Sequence, residues 1–428
     1  MRLYAFEGLR YQGKAEEAGR LAAPPYDQID DSARDRFHAQ SPHQFTHLIK
    51  PVAGSPGEGD EDDELDPYAH AAAIHARWLA EGVIARDRRP SLYPYVIQLA
   101  SGGRRLGVCG LVELADAREI RPHEQTLDKP LADRLALLRA TRVDLEPVFL
   151  LSEDGGRLNR LIEEDVANAA ADGPPLVDHE DADGHHHLLY RVDDPERIAS
   201  YRDVLAVPSA IADGHHRYKV AQRFAAETGA APGTAAAAKL AVVTSLDSPA
   251  LTIDPIHRAL VGAVDLDLLA EGAGATRQVW DGEVGQARNA GEAFAAAVAA
   301  APQPALGIWT TGHRPEIWQL DPEKGPASMP AGGRDLAVLL LHEVVLPSLG
   351  FAPEAATDGT VLYRSDPDVL WKMLGAGEAG TGLWLPSMQP AAFSAAIAHG
   401  DMLPPKSTRF LPKVMSGLVW GDHGTKLL

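Results

Sequence analysis

At 428 residues the chain exceeds what one hydrophobic core usually supports, so two domains are expected. A hydrophobic fraction of 45% and a charged fraction of 23% are those of an ordinary globular protein, not of a disordered or fibrous chain. Sixty acidic residues against 40 basic ones leave a net charge of −20, which argues against nucleic acid or an anionic membrane as partner, because phosphate backbones repel such a field.

Residues 1–50 read as short strands and turns, with Pro24-Pro25 fixing an extended entry to Tyr26-Asp27. Segment 53–66, AGSPGEGDEDDELD, reads as a solvated acidic loop, not a metal site. Residues 67–86 carry a helical period with Ile74, Trp78 and Leu79 inward. SLYPYVIQLA and RRLGVCGLVEL form a hairpin through Ser101-Gly102-Gly103. Cys109, the single cysteine, lies in that second strand and reads as a small buried hydrophobe; no intrachain disulfide is possible. A polar loop, a helix and a buried strand come next over 121–151, then a helix over 157–171, a strand over 185–192 and a short helix over 194–203. The apolar run Val204–Val207 with Ile211 reads as a strand entering ADGHHRYKVA, whose later residues Tyr218, Ala221, Phe224 and Ala225 share a helical face. LAVVTSLD is a further strand, LGIWTTG and EIWQL a hairpin, DLAVLLLHEVVLPSLG a helix ending near Gly350, TGLWLPSM a strand, and 390–399 a helix. Helices and strands alternate, so the fold class is α/β or α+β. The domains expected are 1–248, carrying the DGHHR segment, and 249–428, whose segment 404–420 returns to the site. The N-terminus shows no signal-peptide pattern and no apolar run is long enough to span a bilayer, so the cytoplasm is the expected location.

Three polar clusters carry the chemistry. The first is Asp213-Gly214-His215-His216-Arg217 at a strand–turn–helix junction. Gly214 supplies the positive φ such a turn needs, and Asp213 is the expected N-cap. The first helical turn offers backbone N–H groups and a positive dipole end, which suits a phosphate or carboxylate. The structural alternative is a capped helix whose histidines satisfy loop carbonyls. The second cluster is RPHEQTLDKPLADR, residues 121–134, in which His123 and Glu124 suit acid–base work and Lys129 and Arg134 suit phosphate clamping. Its alternative is an exposed loop with ion pairs. The third is PPKSTRF followed by Lys413; Lys406, Ser407 and Thr408 resemble the end of a phosphate-binding loop but lack the glycines of one. DGHHH at 183–187 leads into a strand and reads as an exposed loop, and His257-Arg258 as a capping or ion-pair element. His215 and His216 point apart on a helix, so no metal site is expected; Mg²⁺ carried by a nucleotide fits better.

These segments together identify the chain as resembling the prokaryotic family DUF1015, a domain of unknown function. The resemblance rests on AAPPYDQI, SPHQFTHLI, RPHEQTLDKPLADR, EPVFLL, IADGHHRYKVA, DPIHRAL and LPPKSTRFLPKVMSGLV, in that order. SPHQFTHLI departs from the family's Asn-Pro-aromatic pattern, and KVA from its usual Glu-Thr-Ala. DGHHR is also similar to the D-G-x-x-R segment of ParB/sulfiredoxin-like domains, which include free-serine kinases and CTP-binding proteins. That likeness implies a ParB/sulfiredoxin-like nucleotide-binding core with a second mixed α/β domain. It implies ATP or ADP with Mg²⁺ as cofactor and a small anionic or nucleotide ligand. The activity implied is a phosphotransferase acting on serine or a similar hydroxylated metabolite. In that reading Asp213 is base or Mg²⁺ ligand, with His215, His216, Glu124 and His123 beside it. Gly214, Arg217, Lys129, Arg134, Lys406, Ser407, Thr408 and Lys413 hold phosphates. Two alternatives stay open: a phosphate-ester or nucleotide hydrolase, and a non-catalytic nucleotide-binding ParB-like protein. The oligomeric state, a homodimer included, is open as well.

Overall fold

The computed structural model describes all residues except 56–64, 125–127, 283–288, 352–358 and 399–401. Two compact units result: Met1–Pro122 with Thr126–Leu251 and Pro412–Leu428, and His123–Gln125 with Thr252–Leu411. Both mix helices and sheets, the α/β class that the alternating pattern predicts.

The first unit is built on a nine-stranded sheet. Its strands are β1 (Leu3–Tyr4), β2 (Tyr93–Gln98), β3 (Arg104–Glu113), β4 (Ile120–Arg121), β5 (Val148–Ser152), β6 (Val177–Glu180), β7 (His186–Leu189), β8 (Ser209–Asp213) and β9 (Ala238–Ser245). They lie in the order β4-β8-β5-β9-β3-β2-β7-β6, with β1 also paired to β3. The sheet is mixed: β8–β4 and β9–β5 are parallel and the other pairs antiparallel. Side chains alternate across a strand. Leu106, Val108, Val112, Val148, Leu150, Ala241 and Val243 therefore turn to one face, where Leu158, Leu161, Ile162, Ile198 and Tyr201 complete a core. Those last five come from helices Arg157–Asp172 and Pro195–Val204.

Two expectations need correction. The helical pattern over 67–86 contains a helix only over Pro67–Ala80, capped by the Asp66 carboxylate on the Tyr68 and Ala69 N–H groups. Gly82, at φ 72°, ends it, and Ile84–Arg86 is a strand. Its buried face is Ala71, Ile74, His75 and Trp78, while Leu79, a further 100° round the helix, is 39% exposed. The apolar run at 204–207 is not the strand before DGHHR. Val204 closes a helix capped by Asp194, and the strand starts at Ser209. Cys109 is buried in β3, as expected of a small hydrophobe there, and burial pushes its thiol pKa up.

The second unit has a wholly antiparallel six-stranded sheet. It comprises β10 (His257–Leu260), β11 (Thr276–Val279), β12 (Ala305–Thr310), β13 (Glu316–Gln319), β14 (Val361–Arg364) and β15 (Thr381–Trp384), ordered β11-β13-β12-β15-β10-β14. β12 and β13 form the hairpin read from LGIWTTG and EIWQL. Helices Ala290–Ala300 and Pro367–Gly375 bury Phe294, Val298, Leu370, Trp371 and Leu374 with Trp384. The helix read over 335–350 contains a π-helical stretch at Leu341–Val345. Thr252–Asp254 pairs with Arg409–Leu411, which brings the loop before it into this unit. Among the described residues no helix is long and apolar enough to cross a membrane.

Candidate functional site

The DGHHR segment is a strand–glycine–helix junction. β8 ends at Asp213, Gly214 turns the chain at φ 91° and ψ 29°, and His215–Thr228 forms helix α1. A side chain at Gly214 would be strained by this φ and would press on Val148 Cγ1 and Arg217 Nε at 3.1 Å. α1 then buries Tyr218, Val220, Ala221 and Phe224, which seats its first turn against the sheet. Asp213 is not the N-cap expected from the sequence. Gly214 holds that position and provides no side-chain cap, because the left-handed turn leaves Asp213 as the last residue of β8. The register of β8 against β5 shifts between Ile211 and Asp213, an irregularity that re-aims the carboxylate.

That carboxylate sits between two cations. Its Oδ2 accepts from the Arg217 guanidinium and its Oδ1 from the Lys413 ammonium. Arg217 also donates to the Pro147 carbonyl. Burial alone would raise the Asp213 pKa, but the two cations outweigh it and hold the carboxyl below its ordinary range. Burial disfavours the Arg217 charge, and Asp213 with Glu146 more than restores it. Asp213 and Arg217 are therefore both ionised at neutral pH.

A second seam of acidic and basic side chains lies beside the first. Glu146 Oε1 accepts from the Tyr26 backbone N–H at 3.0 Å and from Ser416 Oγ at 3.2 Å. Arg134 Nη1 stands 3.7 Å from Glu146 Oε2 and donates to the Ile49 carbonyl at 2.7 Å, with its guanidinium 4.2 Å from the Tyr26 ring centroid. Lys239 donates to Asp144 and, at 2.7 Å, to the Glu146 carbonyl. Burial lowers the Lys239 pKa, and Asp144 offsets part of that. A cavity of about 50 Å³ is lined by Arg134, Asp144, Glu146, Arg217, Phe224 and Lys239 among others.

His215 and His216 open α1 in the first unit, while His123, Glu124, Lys406, Ser407 and Thr408 belong to the second. His123 is 1% exposed, its Nε2 lies 2.9 Å from Thr408 Oγ1, and its ring packs edge-on against Phe393. Glu124 Oε1 accepts from the Lys406 backbone N–H at 3.1 Å, and Ser407 Oγ donates to the Pro404 carbonyl at 2.6 Å. His123 and Glu124 thus each pair with the PPKST loop. Arg258 packs under the same loop, donating to the Pro405 carbonyl at 3.3 Å and lying 3.2 Å from His342 Nε2. Burial, then Arg258, lowers the His342 pKa to about 3, so this imidazole accepts. The Lys129 side chain, Thr126 and most of the acidic loop lie outside the described residues.

Within the first unit the structure brings Asp213, Arg217 and Lys413 together and sets Arg134 on the neighbouring seam. Within the second it joins His123 and Glu124 to Lys406, Ser407 and Thr408. Sequence reasoning missed Tyr26, Asp144, Glu146 and Lys239. The signal was present: Glu146-Pro147 leads directly into a buried strand, and Lys239 is a lone charge in an apolar one. One group of potential metal ligands occurs among the described residues, Asp181, Asp183 and His185 in the DGHHH hairpin, away from this junction in sequence.

A mixed sheet with an ionised strand–glycine–helix junction defines the class. The chain belongs to the family described as protein of unknown function (DUF1015), whose pattern matches residues 3–301. No curated protein matches it. Among solved structures it is similar to a conserved hypothetical protein from Pyrococcus furiosus, at 14% identity and TM-score 0.34, covering 72% of this chain and 93% of that one. It is similar to a free serine kinase in complex with AMP, at 15% identity and TM-score 0.34, covering 70% and 86%. It is also similar to C-terminally truncated SbnI from Staphylococcus aureus, at 12% identity and TM-score 0.35, covering 72% and 85%.

Proposed function

We propose that the protein is a nucleotide-dependent phosphotransferase acting on a small hydroxylated metabolite such as serine. The observation that carries this is Asp213, ionised at the end of β8 and clamped by Arg217 and Lys413 at the start of a glycine-capped helix. The N-terminus of α1 favours negative charge through its backbone N–H groups and dipole. Lys413, with its side chain 19% exposed, adds a cation whose position Asp213 sets. Transfer of a phosphoryl group asks mostly for positioning and charge neutralisation, since its transition state is loose. A strong base is less needed, which suits a carboxylate held at low pKa.

In this reading Asp213 is a positioning residue. Both of its oxygens already face cations, so it does not fit a Mg²⁺ ligand unless Lys413 or Arg217 is displaced. Arg217 fixes the turn through Asp213 and Pro147, while Lys413 and the first turn of α1 hold phosphate. Bound ATP or ADP would supply the transferable phosphate there. Serine as acceptor follows from the likeness of DGHHR to the ParB/sulfiredoxin-like segment. The reading is tested by the nucleotide-induced rise in melting temperature of wild type and of Lys413→Met. A rise in the first that is lost in the second is expected, and no rise in wild type overturns it.

A further inference from the structure

One buried cation of the first unit has no counter-charge among the described residues. Arg105 on β3 is 2% exposed, and neither Nη1 nor Nη2 finds a hydrogen-bond acceptor there. Its guanidinium carbon lies 4.8 Å from the centroid of the Phe149 ring, and Phe149 is the cross-strand partner of Asp213. The buried cations nearer the junction differ: Arg134, Arg217 and Lys239 each face a carboxylate. Burying a charge without a partner costs several kcal/mol even after relaxation. Burial lowers the Arg105 pKa to about 10, which leaves it protonated at neutral pH.

Its neighbours on the sheet face are polar but already matched. Arg105 pairs in register with Ile97, and Ile97 with His187, so Arg105 and His187 share a row. Tyr95, two residues along β2, faces the same side. The Tyr95 hydroxyl lies 2.5 Å from His187 Nδ1, and His187 Nε2 lies 3.0 Å from Asp181 Oδ2. The His187 ring thus bridges Tyr95 and Asp181, one nitrogen to each. The other oxygen of Asp181 takes the N–H groups of Asp183 and His185, each at 2.9 Å. The chain Tyr95–His187–Asp181 is thus closed on itself and lends Arg105 no anion.

We propose that Arg105 is the receptor for the carboxylate of a small metabolite. Two unmatched N–H prongs on one planar group fit the two oxygens of a carboxylate side by side. One guanidinium balances one carboxylate, whereas a phosphate dianion would leave a net buried charge. Phe149 fixes the plane of the fork. The assignment gives the acceptor of the proposed transfer an acid group, and rests on that reading for the acceptor's role alone.

The test uses the full chain, its Arg105→Met and Arg105→Lys variants, and thermal shift with calorimetry. The probes are L-serine, L-serinamide, acetate, inorganic phosphate and ATP with Mg²⁺, each at millimolar concentration. L-serine is expected to raise the melting temperature of wild type while L-serinamide does not. Arg105→Met is expected to weaken serine binding at least about tenfold, since a charge-assisted hydrogen-bonded pair is lost. The same variant should melt no lower than wild type, because an unpaired buried charge has been replaced by an apolar chain. Arg105→Lys should bind weakly, having lost the fork. A response to phosphate and not to either carboxylate overturns the proposal, as does a carboxylate response that survives in Arg105→Met. No response to any carboxylate also overturns it, and so does a melting temperature that drops in Arg105→Met with binding unchanged. The ATP shift is read separately: its absence in wild type tells against the phosphotransfer reading and leaves the carboxylate result standing.

Discussion

At the level of single residues, Asp213 holds the junction together. Removing its charge strands Arg217 and Lys413 beside a neutral amide, both of them largely buried. Asp213→Asn should therefore cost about 3 kcal/mol or more in urea denaturation, the usual consequence of breaking one side of a buried ion pair. The pH dependence follows from the depressed pKa. In the unfolded chain the carboxyl titrates near its ordinary 3.8, and in the folded protein it titrates lower. The stabilisation is thus fully present above that ordinary value and is lost as pH falls through the folded one. Stability curves of wild type and Asp213→Asn should converge below about pH 4; curves that stay parallel there would contradict the assignment. The sequence placed Asp213 in the site but pointed to the wrong task. A helix start preceded by Asp-Gly reads as an N-cap, and only the left-handed turn at Gly214 and the register shift in β8 turn the carboxylate toward Lys413, 200 residues away.

Among the elements, two turns place a residue at positive φ, Gly214 and Lys406. Gly214→Ala forces a Cβ into a left-handed turn and against Arg217 and Val148. It should cost about 1–2 kcal/mol from backbone conformation alone and lower activity with it. Lys406 also has positive φ, 58°, although it is not glycine, and its side chain is exposed. Lys406→Gly should thus leave stability unchanged or raise it by about 0.5–1 kcal/mol. If the lysine is retained for its charge, the same change should lower kcat/KM; equal activity with a higher Tm would assign Lys406 no functional part. Legibility of the elements followed periodicity. The hairpins of β2–β3 and β12–β13 were readable from alternation and turn residues. The end of the helix at Ala80 was misread because Leu79 is apolar, though it lies off the Ile74–Trp78 face. Glu146 and Lys239 escaped because each is a solitary charge whose partners lie far along the chain.

For the molecule as a whole, buried neutral histidines set the acid limit. Burial lowers His75, His187 and His257 to about 4 and His342 to about 3. In the unfolded chain each takes up a proton near its ordinary 6.5, so the unfolded state gains protons first as the medium is acidified. Stability should begin to fall below pH 6.5 and keep falling to about 4, with a slope of up to about 1.4 kcal/mol per pH unit for each histidine. Equilibrium denaturation across that range checks it, and a flat profile would contradict it. The α/β class was legible from the alternation of helical and strand patterns. The pairing of β8 between β4 and β5 was not, because non-local strand order leaves no mark in a local pattern.

Phosphoryl transfer at the Asp213 junction is tested most directly by incubating the purified chain with ATP or ADP, Mg²⁺ and L-serine and following phosphoserine, in wild type and in Asp213→Asn. Phosphoserine should form in wild type, with a loss of at least about tenfold in kcat/KM in the variant, as expected when a group that positions charge at the reacting phosphate is removed. Phosphate release without an acceptor would point instead to a hydrolase. No turnover of either kind, or turnover that Asp213→Asn leaves intact, would contradict the proposed function.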